Sequence, residues 1–314
     1  MSINNIKNIT VFGPGLMGSG IAQVFAACED LKVTIFIREK FEYDCMDRIK
    51  ANLAALKDKE IITEEYIQEL IGRIILTESM EEAAKDADFV IECIPENMEL
   101  KQNLFARLET LCRPDTIFAT NTSVMSITEI SEKSNSKYRI VGTHFWNPPY
   151  LIPLVEVVKS DYTSEEVMDR TMELLKKVNK HPIRVNKDVP GFVANRLQHA
   201  LWREAISIVE KGIADAATVD EAIKYAFGLR LPILGPMENA DMVGTDLTLS
   251  IHNYILKHLE NSTEPSPLLN EKVEKGELGF KSGKGFQDWT ADQINESNKR
   301  LREYLINVIY NKDR

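Results

Sequence analysis

Apolar residues along this chain recur in two ways, and the balance between them changes past the middle. In the first part, short unbroken apolar runs alternate with stretches of helical spacing. Asn8–Phe12 is a β-rich run that ends in glycines, residues 16–27 follow at helical spacing, and residues 33–37 are strand-like again. Residues 89–94, Ile117–Thr120, residues 140–144 and Leu154–Val158 are further short apolar runs. Alternating strands and helices imply parallel pairing through crossover helices. The pattern therefore predicts an α/β domain on a doubly wound, mostly parallel sheet. Over residues 41–70 the spacing is helical, the composition charged and the stretch longer than a plain crossover. A helical hairpin inserted into that domain is expected there.

After Val185 the strand signal fades. Asn186-Lys187-Asp188-Val189-Pro190-Gly191 is a turn-rich junction. Val193, Leu197, Leu201, Ala205, Ile208 and Val209 then recur at helical spacing, and Gly212 is placed to stop that helix. Residues 215–227, 245–259 and 292–309 also read as helices. The pattern divides the chain near Asp188, into an α/β domain over residues 1–188 and an all-α domain over residues 189–314.

Length agrees with this division, since 314 residues make about two domains of ordinary size. Hydrophobic residues are 44% and charged residues 27%, as expected of a globular chain. Lys plus Arg is 38 against 48 for Asp plus Glu, a net charge of −10. Such an acidic chain is poorly suited to neutralising phosphates, so neither nucleic acid nor an anionic membrane surface is an expected partner. No apolar run approaches the ~18–20 residues that span a bilayer. Residues 1–8 are polar and lack the pattern of a signal peptide. Cys28, Cys45, Cys93 and Cys112 are far apart and form no CxxC, which reads as reduced thiols in a cytoplasmic protein.

Gly13-Pro14-Gly15-Leu16-Met17-Gly18 fits GxGxxG and lies between the first strand and the first helix. In that context Gly13 permits a tight turn and Gly15 lets a pyrophosphate approach the backbone. Gly18 lets helix and strand pack closely, and the N–H groups of the helix start, at Leu16 and Met17, hold the phosphates. The motif predicts a Rossmann-type dinucleotide-binding unit. The second strand ends Ile35-Phe36-Ile37-Arg38-Glu39-Lys40, with Ile37 where NAD-binding units usually carry an acid for the ribose 2′-hydroxyl. Arg38 can accommodate the 2′-phosphate of NADP, Glu39 can serve as a displaced acid, or Arg38 is a solvated loop residue. The expected cofactor is NAD or NADP.

The richest segment is His144-Phe145-Trp146-Asn147-Pro148-Pro149, followed by Leu154-Val155-Glu156. His144 ends a predicted strand, on the sheet edge where α/β enzymes bind ligands, and Glu156 lies on the next strand. A carboxylate beside an imidazole fixes its tautomer and stabilises imidazolium, as a general base for a hydroxyl proton requires. Asn121-Thr122-Ser123 follows another strand at the same edge and can hydrogen-bond a substrate or nicotinamide. Ser126 better suits the cap of the helix that starts near Ile127. His181, His199, His252 and His258 have no comparable setting. No His or Cys cluster has metal-ligand spacing, so no metal is expected.

Together these residues resemble the L-3-hydroxyacyl-CoA dehydrogenase family over nearly the whole chain. The resemblance includes the glycine motif with Ser19-Gly20-Ile21-Ala22, Glu92-Cys93-Ile94-Pro95-Glu96-Asn97 with Lys101, and Asn121-Thr122-Ser123. It continues through His144-Phe145-Trp146-Asn147-Pro148, Pro190-Gly191-Phe192-Val193-Ala194-Asn195-Arg196, Gly235-Pro236-Met237 with Asp241, and Lys281-Ser282-Gly283-Lys284-Gly285-Phe286. It implies that His144 is the general acid/base and Glu156 its partner. Ser123 and Asn195 would hydrogen-bond the reacting oxygen, with Asn147 close to the same group. Pro95, Glu96, Lys101 and Asn121 would help form the nicotinamide side. The implied reaction is reversible hydride transfer between NAD(P) and the C3 hydroxyl or keto group of a 3-hydroxyacyl-CoA. A homodimer through the helical domain is implied as well.

The chain departs from the family pattern in three places. The acid of the second strand is missing. Pro153 stands where acyl-CoA enzymes more often carry a Lys before Leu-Val-Glu. Pro148-Pro149, Leu201-Trp202-Arg203-Glu204-Ala205 and Gly235-Pro236-Met237 look like relatives acting on substrates without CoA, such as a dehydrogenase of pyridoxine breakdown. Lys50, Lys57 and Lys59, in the region where acyl-CoA enzymes hold part of CoA, read as a solvated helix face. A small non-thioester hydroxy acid or alcohol is thus the alternative substrate. A nucleotide-binding relative without catalysis is a third reading, disfavoured by the intact set of Ser123, His144, Asn147, Glu156 and Asn195.

Overall fold

β1 (Asn8–Phe12) pairs in parallel with β2 (Lys32–Phe36) on one side and β4 (Phe89–Glu92) on the other in the computed structural model, which describes residues 6–38 and 42–310. β3 (Ile74–Thr77) adds to β2. β5 (Ile117–Thr120), β6 (Ile140–Phe145), β7 (Leu154–Val158) and β8 (His181–Val185) extend the other side, in the order β3-β2-β1-β4-β5-β6-β7-β8. Only β6 and β7 pair antiparallel, because the short link of residues 146–153 cannot supply a crossover. The expected mostly parallel, doubly wound sheet is the observed one.

The central strands are buried along their whole length, as a sheet covered on both faces requires. One face packs Ile9, Val11, Val33, Ile35 and Ile91 against α1 (Leu16–Ala26), the hairpin α2 (Glu42–Lys57) and α3 (Glu64–Gly72), and α7 (Glu165–Lys177). The other packs Val90, Phe118 and Ile140 against α4 (Met80–Lys85), α5 (Met98–Leu111) and α6 (Ile127–Ile130). Thr63, Ser79, Asn97, Ser126 and Ser164 cap α3 to α7, each side chain accepting the N–H three residues on. α1 differs: Gly15 stands at its cap and supplies no side-chain acceptor.

The edge strands β3 and β8 are not among the expected strand runs. β3, Ile74-Ile75-Leu76-Thr77, follows directly on the helical hairpin and prolongs its apolar pattern, and β8 contains Pro182 and exposes His181 and Arg184.

The chain forms two compact units. One runs to Asn195 and includes the chain again from Glu303; the other is Arg196–Arg302. The division falls inside α8 (Ala194–Glu210), whereas the expectation lies near Asp188; the N–H groups of Val193, just before α8, and of Ala194, its first residue, are hydrogen-bonded to a carboxylate of the sheet. The second unit is helical: after α8 come α9 (Ala216–Tyr225), α10 (Pro236–Val243), α11 (Thr245–Ile255), α12 (Pro267–Glu274) and α13 (Ala291–Tyr310), the last passing into the first unit. Among the described residues, no helix is long and apolar enough to cross a membrane.

Candidate active site

The carboxyl ends of β1, β4, β5 and β6 follow one another along one sheet edge and carry the predicted residues in that order. β1 and β4 flank the point where the strand order reverses, the usual ligand crevice of such sheets. The three glycines of the β1–α1 loop meet different surroundings. A Cβ on Gly13, whose φ is +102°, would lie 2.6 Å from the Cys93 carbonyl oxygen, and one on Gly18 would lie 1.9 Å from the Gly13 oxygen. Both glycines are thus required by the fold itself. Gly15 has nothing within 4 Å of its Cβ position. Its missing side chain fills no internal need and leaves open space before an uncapped helix start, where Leu16 is 61% exposed. This is the space and polarity that a dinucleotide pyrophosphate fits.

Beyond β2, Ile37 is buried and Arg38 exposed, so no carboxylate occupies the usual acid position; Glu39 lies outside the described residues. Across the switch point, Glu92 at the end of β4 is fully buried. Its carboxylate accepts from Lys101 Nζ (2.8 and 2.9 Å), from the Thr120 hydroxyl and from the Ile94 N–H (3.1 Å). Burial pushes the Glu92 carboxyl up, against the pull of the Lys101 ammonium. Lys101 is turned inward, with its Nζ also 3.4 Å from Glu96. The Glu96 carboxylate accepts from the Thr122 hydroxyl (3.0 Å) and the Ser123 N–H (2.7 Å). A line of charges therefore ties the exposed Pro95-Glu96 turn to the Ser123 loop. Lys101 acts inside this line and faces Glu92, whereas Glu96 remains at the surface.

His144 and Glu156 are direct register partners across β6 and β7. His144 Nδ1 lies 2.8 Å from Glu156 Oε2, with both side chains buried. An ionised carboxylate only accepts, so Nδ1 carries a proton and Nε2 is the ring nitrogen that the carboxylate leaves free. The same carboxylate accepts from Trp146 Nε1 (3.4 Å) and, through Oε1, from the backbone N–H groups of Val193 (2.9 Å) and Ala194 (3.0 Å). Val193 just precedes α8 and Ala194 is its first residue, and a left-handed turn at Gly191 (φ 76°) and Phe192 (φ 48°) aims their N–H groups. Burial alone would raise the Glu156 carboxyl, but the His144 ring and these N–H groups outweigh it and hold the pKa below the usual range. The rings of Trp146 and Phe192 flank the imidazole at 5.4 and 5.7 Å.

Of the remaining predicted residues, Asn195, Asn121 and Asn147 lie on segments that adjoin this pair, and Ser123 is bonded to Asn195. Asn195 Nδ2 donates to the Ser123 carbonyl oxygen (3.1 Å), which brings Asn195 and Ser123 together. Asn121 Oδ1 accepts from the Phe145 N–H (2.9 Å) and so fastens the end of β6 beside β5. Asn147 is exposed at the start of the 147–153 loop. Ser126 caps α6 and also donates to Asp188. Lys57 and Lys59 are paired with Glu64 and Glu303 on the surface. The α8 N–H groups on Glu156, the Trp146 contact and the Glu92 anchor are absent from the sequence reading. The Pro190-Gly191 turn just before α8 is the one signal that pointed toward the first. No group of three or more His, Cys, Asp or Glu able to hold a metal occurs among the described residues.

Known proteins share this arrangement of segments. Residues 8–189 match the 3-hydroxyacyl-CoA dehydrogenase NAD-binding domain, and residues 191–289 match the corresponding C-terminal domain. The chain is 41% identical over 286 residues to a probable 3-hydroxybutyryl-CoA dehydrogenase of Bacillus subtilis (strain 168), covering 90% of this chain and 98% of that one. Among solved structures, an (S)-3-hydroxybutyryl-CoA dehydrogenase from Ralstonia eutropha superposes with a TM-score of 0.77 at 31% identity, covering 91% of this chain and 100% of that one. A 5-formyl-3-hydroxy-2-methylpyridine 4-carboxylic acid 5-dehydrogenase, described as an NAD+-dependent dismutase, superposes with a TM-score of 0.88 at 30% identity, covering 96% and 97%.

Proposed function

The chain belongs to the 3-hydroxyacyl-CoA dehydrogenase family of NAD-dependent oxidoreductases, and from that premise we propose that it interconverts the C3 hydroxyl and keto groups of a 3-hydroxyacyl-CoA. The observation that carries this reading is the buried His144–Glu156 pair at 2.8 Å, on the sheet edge that also holds the glycine loop. In the oxidising direction Nε2 of His144 takes the proton of the substrate hydroxyl, and in the reducing direction it returns that proton. Glu156 keeps Nδ1 protonated and stabilises the imidazolium as it forms. Ser123, Asn195 and Asn147 orient the substrate oxygen. A bound nicotinamide cofactor supplies the hydride chemistry. Gly15, Leu16 and Met17 would hold its pyrophosphate in the loop that Gly13 and Gly18 shape, and Pro95 and Glu96 would line its nicotinamide side, with Asn121 and Lys101 fixing that side from within.

Cofactor choice follows from the end of β2. With buried Ile37 in the acid's position and Arg38 exposed beside it, we assign acceptance of NADP(H) as well as NAD(H).

A second substrate reading has its own support. The higher TM-score belongs to the pyridine carboxylic acid dehydrogenase, and Pro153 replaces the Lys that acyl-CoA enzymes more often carry. Under this reading the same proton transfer acts on a small non-thioester hydroxy acid or alcohol.

We also assign a homodimer, formed through the helical unit. Among the described residues from Arg196 to Arg302, only Ser207 and Gly285 are buried, while Tyr225, Ile233, Met237, Met242 and Tyr254 are each at least 70% exposed. Amphipathic helices without a buried apolar side chain need a second surface, and a second copy supplies it with closed symmetry. Cys28, Cys45, Cys93 and Cys112 are free thiols, in keeping with a reducing, cytoplasmic setting.

Reduction of acetoacetyl-CoA by the purified protein, with NADH and NADPH in parallel, tests these assignments. Turnover of about 1–10³ s⁻¹ is expected for the thioester reading. Intact binding of both cofactors without turnover overturns it in favour of the non-thioester reading. A preference for NAD(H) of about a hundredfold in equilibrium binding overturns the assignment to Arg38.

A further inference from the structure

We propose that Lys180 is a positioning residue of this site: its ammonium group clamps the 147–153 loop, and with it Asn147, beside His144. Lys180 stands just before β8 and reaches the loop that joins β6 to β7. Its Nζ donates to the carbonyl oxygens of Pro149 and Ile152, the latter at 2.9 Å. Leu151 and Ile152 turn their own N–H groups to the Pro148 oxygen (3.0 and 2.9 Å), which makes a tight turn whose other carbonyls are left for the lysine. The next residue, His181, donates its N–H to the Pro153 oxygen at 2.8 Å, so the clamp continues directly into strand pairing.

Shape alone does not explain a cation at this position. Burial pushes the Lys180 ammonium down to about 8. A buried charge persists where fixed dipoles solvate it, and two converging carbonyls do so here. The rest of the loop is anchored by packing. Leu151 is buried in a small cluster with Leu56 and Ile306. The Pro149 ring rests on α1 at Gly20, where a Cβ would come within 2.6 Å of Pro149 Cγ. These contacts hold the far side of the loop, and Lys180 closes the arch between them. What the arch supports is chemically active: Trp146 touches both the His144 ring and the Glu156 carboxylate, and Asn147 follows it. Any loosening of the loop is therefore felt at the His144–Glu156 pair.

The consequence for catalysis rests on the function proposed above, whereas the clamp itself does not. Two measurements on the full chain keep them apart, using wild type, Lys180→Met and Lys180→Arg, each verified as folded by its melting transition. The first is amide hydrogen exchange at one pH. Loss of a charged hydrogen-bond donor should speed exchange of the Leu151 and Ile152 amides in Lys180→Met by about ten- to a hundredfold, with the sheet unchanged. Lys180→Arg, which keeps the charge, should restore protection. Unchanged exchange in Lys180→Met, or equal loosening in both variants, overturns the clamp. If Lys180→Met does not fold, the Arg variant alone decides: wild-type protection supports the clamp and lost protection overturns it. The second is kinetic, with whichever substrate turns over. A fall of about tenfold in kcat/KM with unchanged cofactor affinity, rescued by Lys180→Arg, is expected. Unaltered kcat/KM in a variant whose loop has loosened overturns the positioning role and leaves the clamp standing.

Discussion

At the scale of single residues, the account turns on how one carboxylate is satisfied. Glu156 faces four donors: His144, Trp146, Val193 and Ala194. Glu156→Gln keeps the shape but replaces one acceptor oxygen with an N–H donor, so the imidazole loses the partner that fixes its tautomer. Turnover should fall by about 10²–10⁴-fold while cofactor binding persists. Because the Glu156 carboxyl is held below its usual range, the unfolded chain binds more protons than the folded one as pH drops. Its contribution to stability is therefore present above the ordinary carboxylate range and lost as pH falls through the lower folded value. Urea unfolding from pH 2 to 6 should show the wild type losing its advantage over Glu156→Gln as pH falls below the ordinary carboxylate range. A pH-independent gap would contradict the assignment. His144 and Glu156 are legible in the sequence because each sits on an apolar strand run with a short connection between them. The donors from Val193 and Ala194 are not, because they are backbone groups aimed by a left-handed turn and no side-chain pattern encodes them. Lys101 is legible as part of a motif, yet its inward orientation is set by Glu92, a buried acid in an otherwise apolar run.

At the scale of elements, the β1–α1 loop separates the needs of the fold from those of a ligand. Gly18→Ala drives a methyl group into the Gly13 carbonyl and should cost on the order of 3 kcal/mol, read as a lower melting temperature. Gly15→Ala meets nothing within 4 Å and has φ −70°, so its stability should match wild type. Its cofactor affinity should nonetheless fall by about tenfold or more, since the added methyl takes the place of the pyrophosphate. Equal cofactor affinity in Gly15→Ala would place the dinucleotide elsewhere. The central strands are legible because burial on both faces makes them continuous apolar runs. The edge strands are not: β8 carries Pro182 together with His181 and Arg184, and β3 is short and follows a hairpin whose helical spacing masks it.

At the scale of the whole molecule, the change from strand-rich to helical pattern past Val185 predicts two parts, and the chain forms two compact units divided between Asn195 and Arg196. That division lies inside α8, whose first residue, Ala194, donates its N–H to a carboxylate of the sheet. The helical unit leaves apolar side chains such as Ile233 and Met237 exposed, which is the basis of the proposed dimer. Light scattering on a sizing column should give a dimer at micromolar concentration, and Ile233→Lys together with Met237→Lys should shift it toward monomer. A wild-type monomer would contradict the dimer. The chemistry gives the most direct test of the account. Single-turnover reduction of acetoacetyl-CoA should be compared for wild type and His144→Ala, with NADH affinity titrated for both. Equal NADH affinity and a chemical step slowed by about 10²–10⁴-fold in the variant are expected. Turnover by His144→Ala close to that of wild type would contradict the general acid/base role of His144.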